Sequence, residues 1–162
     1  MNGGFTINGF TKMIQWFFGI TTSNGNPLYA ALSKTKPTFA GTNVTEPNNS
    51  SYARVAVNTK VYSGSSGTSV FTSVSTTTDG VRTTNAVAFQ FPEAYDNVQK
   101  QVQDWGECPY ICLFSAASGG QLLAFDTLEN ALHPGDNNAS AIVVIRAGDF
   151  LLGLYNPADE EE

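Results

Sequence analysis

The sequence Val-Ala-Phe-Gln-Phe at residues 87–91 decides the fold class, because large apolar residues alternate along it with small or polar ones. Successive side chains of a β-strand point to opposite faces of the sheet, so Val87, Phe89 and Phe91 share one face. The pattern predicts a strand over Val87–Phe91 whose aromatic face is buried.

Similar short runs recur along the chain, separated by turn residues such as Gly, Asn and Pro. Further strands are predicted at Leu28–Leu32, Tyr52–Val57, Thr68–Val74, Tyr110–Phe114, Leu122–Phe125, Ala141–Arg146 and Phe150–Leu154. The last four are expected to form two hairpins, one around Ser-Ala-Ala-Ser-Gly-Gly at 115–120 and one around Ala-Gly-Asp at 147–149.

Two helices are predicted beside these strands. Apolar residues at helical spacing run from Phe10 to Phe18, and Gly19 is a plausible stop. A second helix is predicted over Glu93–Val102. The fold class expected is mainly β, a β-sandwich or jelly-roll-like arrangement of about eight strands with a short N-terminal helix.

The length and composition predict a single β-sandwich domain over residues 1–162, with a helical segment at 1–20 and an acidic C-terminal tail at 156–162. Residues 34–51 and 62–67 are expected to be exposed or partner-dependent loops. The charged share of 14% is low, which suits a subunit that packs against neighbours.

The charge distribution gives no sign of a nucleic-acid or membrane partner. The net charge is −6, of which residues 159–162 carry four, and the eight Lys and Arg are scattered singly. The apolar stretches are too short to span a membrane, and the N-terminus lacks the pattern of a signal peptide. We expect a soluble protein without nucleic-acid contacts.

No residue pattern indicates an enzyme, a cofactor site or a metal site. His133 is the single histidine and precedes a Pro-Gly turn, so no general base accompanies a nucleophile. Cys108 and Cys112 are too few for a zinc site and too far apart on a strand for a disulfide, which predicts buried, reduced thiols.

Several motifs, taken in order, resemble a family of small tailed-phage virion proteins labelled tail-fibre-like or head-decoration proteins. They are Leu-Tyr-Ala-Ala-Leu-Ser at 28–33, Glu-Pro at 46–47, Tyr-Ala-Arg-Val-Ala-Val at 52–57, Phe-Pro at 91–92, Trp-Gly at 105–106 and the stretch Leu113–Ala124. The chain departs from the family pattern at residues 48–51 and by an insertion at Tyr95–Asp104.

The resemblance implies a structural accessory protein of the virion, assembled in the bacterial host cytoplasm. It would decorate or stabilise the capsid, or occupy a tail or connector site. The implied partners are major capsid or tail proteins and further copies of the chain in a homo-oligomer, for which a trimer is one symmetry. The alternative is a receptor- or carbohydrate-binding module of a tail fibre.

Two sets of candidate residues follow. Arg54 lies on a predicted strand and is either solvent-facing or paired, and Glu46 is the nearest upstream acid, so an ion pair between them is predicted to fix the long loop. Candidate interface residues are aromatic or belong to the acidic tail: Trp16, Tyr62, Trp105, Tyr110, Asp159, Glu160, Glu161 and Glu162.

The tail is expected near basic residues of a neighbouring subunit, or against Arg146 or Lys60 of its own chain. Core or interface contacts are predicted for a further set of apolar residues: Trp16, Phe17, Phe89, Phe91, Leu113, Phe114, Leu122, Ile142 and Val144.

Overall fold

A computed structural model describes residues 28–38, 40–57, 61–63, 66–68, 75–77 and 80–155. The described residues are mainly β, and their strands pair antiparallel, which confirms the predicted class. The predicted helix from Phe10 to Phe18 lies outside the described residues, as do most of the predicted strand Thr68–Val74 and the acidic tail.

The strands are β1 Tyr29–Ser33, β2 Val55–Ala56, β3 Val61–Ser63, β4 Ser66–Thr68, β5 Ser75–Thr77, β6 Gly80–Thr84, β7 Phe89–Glu93, β8 Tyr95–Asp96, β9 Gln101–Val102, β10 Cys108–Phe114, β11 Leu122–Leu132, β12 Ile142–Ile145 and β13 Leu151–Tyr155. A short 3-10 turn covers Asp136–Asn138. Among the residues described, no helix is long and apolar enough to cross a membrane.

The chain divides into two compact units. One combines Pro27–Val57 with Phe89–Val144, and the described parts of the other lie within residues 61–88 and 145–155. The prediction of a single domain over the whole chain stays a prediction.

The four-stranded sheet of the first unit has the order β11-β10-β1-β2. Its inner strand β1 buries Ala30, Ala31 and Leu32 completely, and Val44 from the loop after β1 packs against the cluster that contains Ala31. The hairpin of β10 and β11 forms as predicted. Of the predicted strand Tyr52–Val57, only Val55–Ala56 pairs with β1.

A β-bulge changes which side chains of β11 lie on each face of the sheet. The register between β10 and β11 shifts by one residue at Leu123, which opposes no residue of β10. In a regular strand, residues three apart face opposite sides of the sheet. The bulge instead places Leu122 and Phe125 on the same side, where both pack against the buried cluster around Phe114.

Strands β7 and β12 form a two-stranded ribbon whose buried face comes from alternating residues. Phe89 and Phe91 are buried, as the alternation predicts. In β12, however, Val143 is buried while Ile142 and Val144 are 50% and 49% exposed, so neither lies in the core, and the alternative of an interface contact stays a prediction for both. Consecutive β-branched residues do not show which side chains point into the core, and in β12 the pairing with β7 decides this.

The predicted second hairpin is also wrong, because β12 pairs with β7 whereas β13 pairs with β6. The turn between β12 and β13 is held by the buried Asn85. Its side chain accepts the N–H groups of Gly148 and Phe150 at 3.1 and 2.9 Å and donates to the Arg146 carbonyl at 2.7 Å. These bonds fix the turn to the end of β6 rather than to β12.

The predicted helix over Glu93–Val102 does not form, because Glu93 ends β7 and residues 95–102 form the short β8–β9 hairpin. The Asp96 carboxylate accepts the N–H groups of Val98 and Gln99 at 2.7 and 2.9 Å, and Lys100 adopts a positive φ of 56°. Such side-chain to backbone bonds favour a turn over a helix. Val98 accordingly faces solvent.

Candidate functional site: an anchored loop and an adjoining cleft

The loop between β1 and β2 folds back on itself in its first half. Lys34 N–H donates to the Thr45 carbonyl at 2.8 Å, and Thr38 N–H donates to the Thr42 carbonyl at 3.0 Å. The tip turns at Gly41, whose φ of +76° favours glycine. The loop is therefore a folded element with its own backbone hydrogen bonds.

In the second half of the loop, the structure brings Glu46 and Arg54 together. Arg54 Nη2 lies 2.6 Å from Glu46 Oε1, and Arg54 Nε donates to Glu46 Oε2 at 3.0 Å. The two-pronged geometry matches the planar guanidinium to the carboxylate. Only 9% of the Arg54 side chain and 22% of the Glu46 side chain is exposed, so water screens this pair weakly.

Arg54 also contacts a distant turn and the core. Its Nη1 donates to the carbonyl oxygens of Ala116 and Gly119 at 2.8 and 2.6 Å. Its guanidinium carbon lies 3.5 Å from the centroid of the Phe114 ring, a cation–π contact. Nothing in the local sequence around Arg54 indicates these contacts, because their partners lie at least 60 residues away.

The turn that Arg54 contacts, between β10 and β11, requires two glycines. Gly119 and Gly120 have φ values of +61° and +73°, and a Cβ on Gly120 would lie 2.8 Å from the Ala116 Cβ. The Ser115 hydroxyl accepts the Gln121 N–H at 2.8 Å and closes the turn. The conformation of this turn is thus fixed both by glycine and by Arg54.

Tyr52 joins the ion pair to β1 and to the aromatic core. Its hydroxyl donates to Glu46 Oε2 at 3.0 Å and accepts the Leu32 N–H at 3.0 Å. Burial, with the Glu46 carboxylate beside it, raises the pKa of Tyr52 above its usual range. The phenol therefore stays protonated and remains a donor to Glu46.

Midway between Glu46 and Arg54, hydrogen bonds join Ser50 to the β8–β9 hairpin. The Ser50 hydroxyl donates to Asp96 Oδ2 at 2.6 Å and accepts from the Gln103 amide at 2.8 Å. The hydrogen bond from Ser50, followed by those from two backbone N–H groups, lowers the pKa of Asp96. Asp96 therefore stays ionised and keeps accepting these bonds at neutral pH.

Trp105 also contacts this part of the loop. Its indole N–H donates to the Ser51 hydroxyl at 3.0 Å, and its ring meets Tyr52 edge-on with centroids 5.1 Å apart. The Trp105 backbone N–H donates to the Pro134 carbonyl at 2.9 Å. Trp105 is wholly buried, which leaves its side chain no surface for a partner.

Two open cavities share Gly41 and Leu122 in their linings, and we call them together the Gly41 cleft. The first, of about 320 Å³, is lined by Thr38, Gly41, Leu122, Leu123, Ala124 and Phe125. The second, of about 340 Å³, is lined by Ala40, Gly41, Phe114, Gly120, Gln121 and Leu122. None of these side chains carries a formal charge.

Comparison with known proteins identifies the family of this chain. The family model described as podophage GP4 fiber I protein gp80 matches residues 8–149. The chain belongs to this family. No curated protein matches the sequence. The resemblance to phage virion proteins is confirmed at this coarser level, and the family is one of fibre proteins.

The segment matched by the gp80 fibre family contains the whole anchored loop and the Gly41 cleft. It also contains the remaining aromatic candidates. Tyr110 is half-buried on β10, Tyr62 lies on β3, and Trp16 lies outside the described residues. The acidic candidates Asp159–Glu162 follow the matched segment and are likewise outside the described residues.

The cysteines of this gp80-family chain are buried and free, as their spacing predicts. Burial raises the pKa of Cys108 to about 11 and that of Cys112 to about 12, so both are neutral thiols at pH 7. Within the described ranges, no group of three or more His, Cys, Asp or Glu could hold a metal ion.

Proposed function

We propose that this gp80-family chain is a non-catalytic structural subunit of the fibre apparatus of a tailed-phage virion. The observation that carries the proposal is the match of a fibre-protein family over residues 8–149. Of the two locations that the sequence left open, a capsid surface and a tail or connector site, the description of the family favours the second.

The anchored loop supports a mechanical role. Glu46 and Arg54 tie the second half of the loop to the β10–β11 turn, and Ser50, which lies between them in sequence, ties it to the β8–β9 hairpin. A loop segment fixed at two points presents a constant surface to neighbouring subunits. The low charge of the chain also suits extensive contact with such neighbours.

We propose that the subunit assembles with copies of itself, as a trimer or another symmetric oligomer, and with other tail proteins. Trp16, Tyr62, Tyr110 and the acidic tail at 156–162 are the proposed contact residues. We also propose that the strands are arranged as a β-sandwich or jelly roll and that a helix from Phe10 to Phe18 accompanies them.

The test is the location and copy number of the protein in purified particles, measured by electron microscopy with a tag-specific label and by quantitative mass spectrometry. We expect a small multiple of the tail symmetry, located at the tail. Absence of the protein from purified particles, or one copy per capsid surface lattice point, would contradict the proposal.

The second candidate function is a receptor- or carbohydrate-binding module on the same fibre. The Gly41 cleft favours it, because the cleft is a preformed concave surface with polar and apolar lining. Competition between the purified protein and intact phage for adsorption to host cells would test this candidate. Unchanged adsorption at saturating protein would contradict it.

A further inference from the structure

We infer that the Gly41 cleft binds an uncharged saccharide, a ligand of two to three sugar units. The inference rests on the second candidate function, since it names the ligand class and the residues of that site. It is independent of the structural role proposed for the subunit.

The size of the cleft suits a ligand of more than one unit. Its two cavities, of about 320 and 340 Å³, share Gly41 and Leu122 in their linings and are therefore neighbours. Each cavity falls at the lower end of the range of small-ligand sites. A ligand with two similar units would place one unit in each cavity.

The chemistry of the lining suits a sugar more than a charged ligand. The apolar wall comes from Leu122 and Phe125, which the bulge at Leu123 turns to the same side of β11. Apolar and aromatic surfaces pack against the C–H face of a pyranose ring. The Gln121 amide can exchange hydrogen bonds with sugar hydroxyl groups, whereas the Thr38 hydroxyl is already bonded to Thr42.

The absence of charge from the lining residues is the discriminating feature. Anionic ligands such as nucleotides or phosphorylated glycans are bound by Arg, Lys or arrays of N–H groups. The nearby Arg54 is already engaged by Glu46 and by the Ala116 and Gly119 carbonyls. An anion that bound in this cleft would give up hydration of its charge without gaining a cationic partner. A neutral sugar has no charge that needs such a partner.

Arg54 has a positioning role at this site. By holding the Gly119 carbonyl at 2.6 Å, it fixes the turn that carries Gly120 and Gln121 into the second cavity. A wall that is rigid before binding reduces the entropy lost when the ligand binds. The ion pair predicted from the sequence thus also serves to shape the cleft.

The test uses the full chain and a defined panel of neutral di- and trisaccharides built from glucose, galactose, mannose and N-acetylglucosamine, with sialylated and phosphorylated counterparts. Binding is measured by titration calorimetry and by chemical-shift changes at Gln121. Two blocking variants, Thr38→Trp and Ala40→Trp, each fill one cavity from an exposed position. Ala139→Trp is the matched control, since Ala139 is also exposed and lies outside the cleft.

We expect wild-type protein to bind at least one neutral saccharide and each blocking variant to bind it at least about tenfold more weakly. Gln121→Ala should also weaken binding, and Ala139→Trp should leave it unchanged. Unfolding midpoints near that of the wild type show that the variants fold; Gln121→Ala provides a milder variant if a tryptophan variant does not.

Three results would overturn the inference: no binding of any neutral saccharide, binding confined to the anionic counterparts, or equal binding by the blocking variants and Ala139→Trp. Incorporation of the blocking variants into phage particles separates this inference from the structural role. Normal incorporation together with no saccharide binding would refute the cleft assignment alone, whereas absence of the wild-type protein from particles would refute the structural role alone.

Discussion

Residues 46–54 of the loop between β1 and β2 are fixed at two places by different chemistry. Where the ion pair closes this segment, which we call the charged end, the single side chain of Arg54 makes charge-assisted bonds to Glu46 and to two backbone carbonyl groups. Midway along the segment, which we call the network end, Ser50 and Ser51 share their hydrogen bonds among several partners, Trp105 included. Interactions concentrated in one side chain are more vulnerable to substitution than interactions divided among many.

The largest effect is expected at Arg54. Arg54→Met should lower the free energy of unfolding by about 3–5 kcal/mol, because it leaves the Glu46 carboxylate without its partner in a largely buried position. Arg54→Lys should cost less, since it keeps the charge but cannot form the two-pronged contact. Urea unfolding followed by tryptophan fluorescence measures both. A wild-type midpoint for Arg54→Met would contradict the importance of the charged end.

At the network end, Gly135 should be the most sensitive position. Gly135 has a φ of +83°, and a Cβ there would lie 2.2 Å from the Gln103 carbonyl oxygen. Gly135→Ala should therefore cost about 2–4 kcal/mol from strain and overpacking together. Gly119→Ala is the matched control, since its φ is also positive but its Cβ would meet nothing within 4 Å. Equal losses in the two variants would show that the close approach of Gly135 contributes nothing.

The serines of the network end should differ from each other. Ser51→Ala leaves the buried Trp105 indole N–H without its acceptor, which should cost about 1–3 kcal/mol. Ser50→Ala should cost about 1 kcal/mol or less, because Asp96 keeps three other donors. The comparison is made by urea unfolding of the two single variants. A larger loss of stability for Ser50→Ala than for Ser51→Ala would contradict the greater importance assigned to the hydrogen bond between Ser51 and Trp105.

The network end should also depend on pH through Asp96. Hydrogen bonds lower the pKa of Asp96 in the folded state, so its contribution is fully present above the unfolded value of about 4 and is lost as the pH falls through the folded value. The stability difference between wild type and Asp96→Asn should be constant from about pH 5 to 8 and shrink below about pH 4. Asp149→Asn, an exposed carboxylate outside the network, is the control. If the stability difference between wild type and Asp96→Asn grew on acidification, this prediction would be contradicted.

The smallest effect concerns the cysteines, which report on the two ends separately. The charges acting on Cys112 are those of Glu46 and Arg54, whereas Cys108 is influenced by charges near the network end. In single-cysteine variants, native thiols should react slowly with a thiol reagent at pH 8, because they are buried and neutral. Arg54→Lys should accelerate the labelling of Cys112 more than that of Cys108. Equal acceleration would show that the two ends open together.

The predictable part of the fold was the part with a strong local pattern. The alternation at Phe89 and Phe91 predicted a buried strand face, and the Gly-Gly turn before Leu122 predicted the β10–β11 hairpin; the structure has both. The uniform apolar run at 142–145 carried no such pattern. Which of its residues are buried depends on the partner strand of β12, and local sequence does not reveal that strand.

The failures have side-chain causes. Asn85 captures the turn after β12, and Asp96 caps the turn after β8, so that neither the second hairpin nor the second helix forms. Both residues act through hydrogen bonds to backbone groups, which propensity and periodicity do not describe.

The candidate site was predictable only within one loop. Glu46 and Arg54 are eight residues apart, and their opposite charges beside a long loop suggested the pair that the structure contains. The carbonyl groups of Ala116 and Gly119 carry no sequence signal as acceptors, because every residue except the chain ends has such a group. The Gly41 cleft depends on the same distant contacts and could not be anticipated.

The unequal sequence separations of the Arg54 contacts have a consequence for the order of folding. The contact with Glu46 closes a loop of eight residues, whereas the contacts with Ala116 and Gly119 span 62 and 65 residues. Closing the longer loops costs more chain entropy, so we expect the short-range contact to form before the long-range contacts, which require β10 to pair with β1. We therefore expect that weakening the contacts of Arg54 with the two carbonyl groups raises the rate of unfolding more than it lowers the rate of folding.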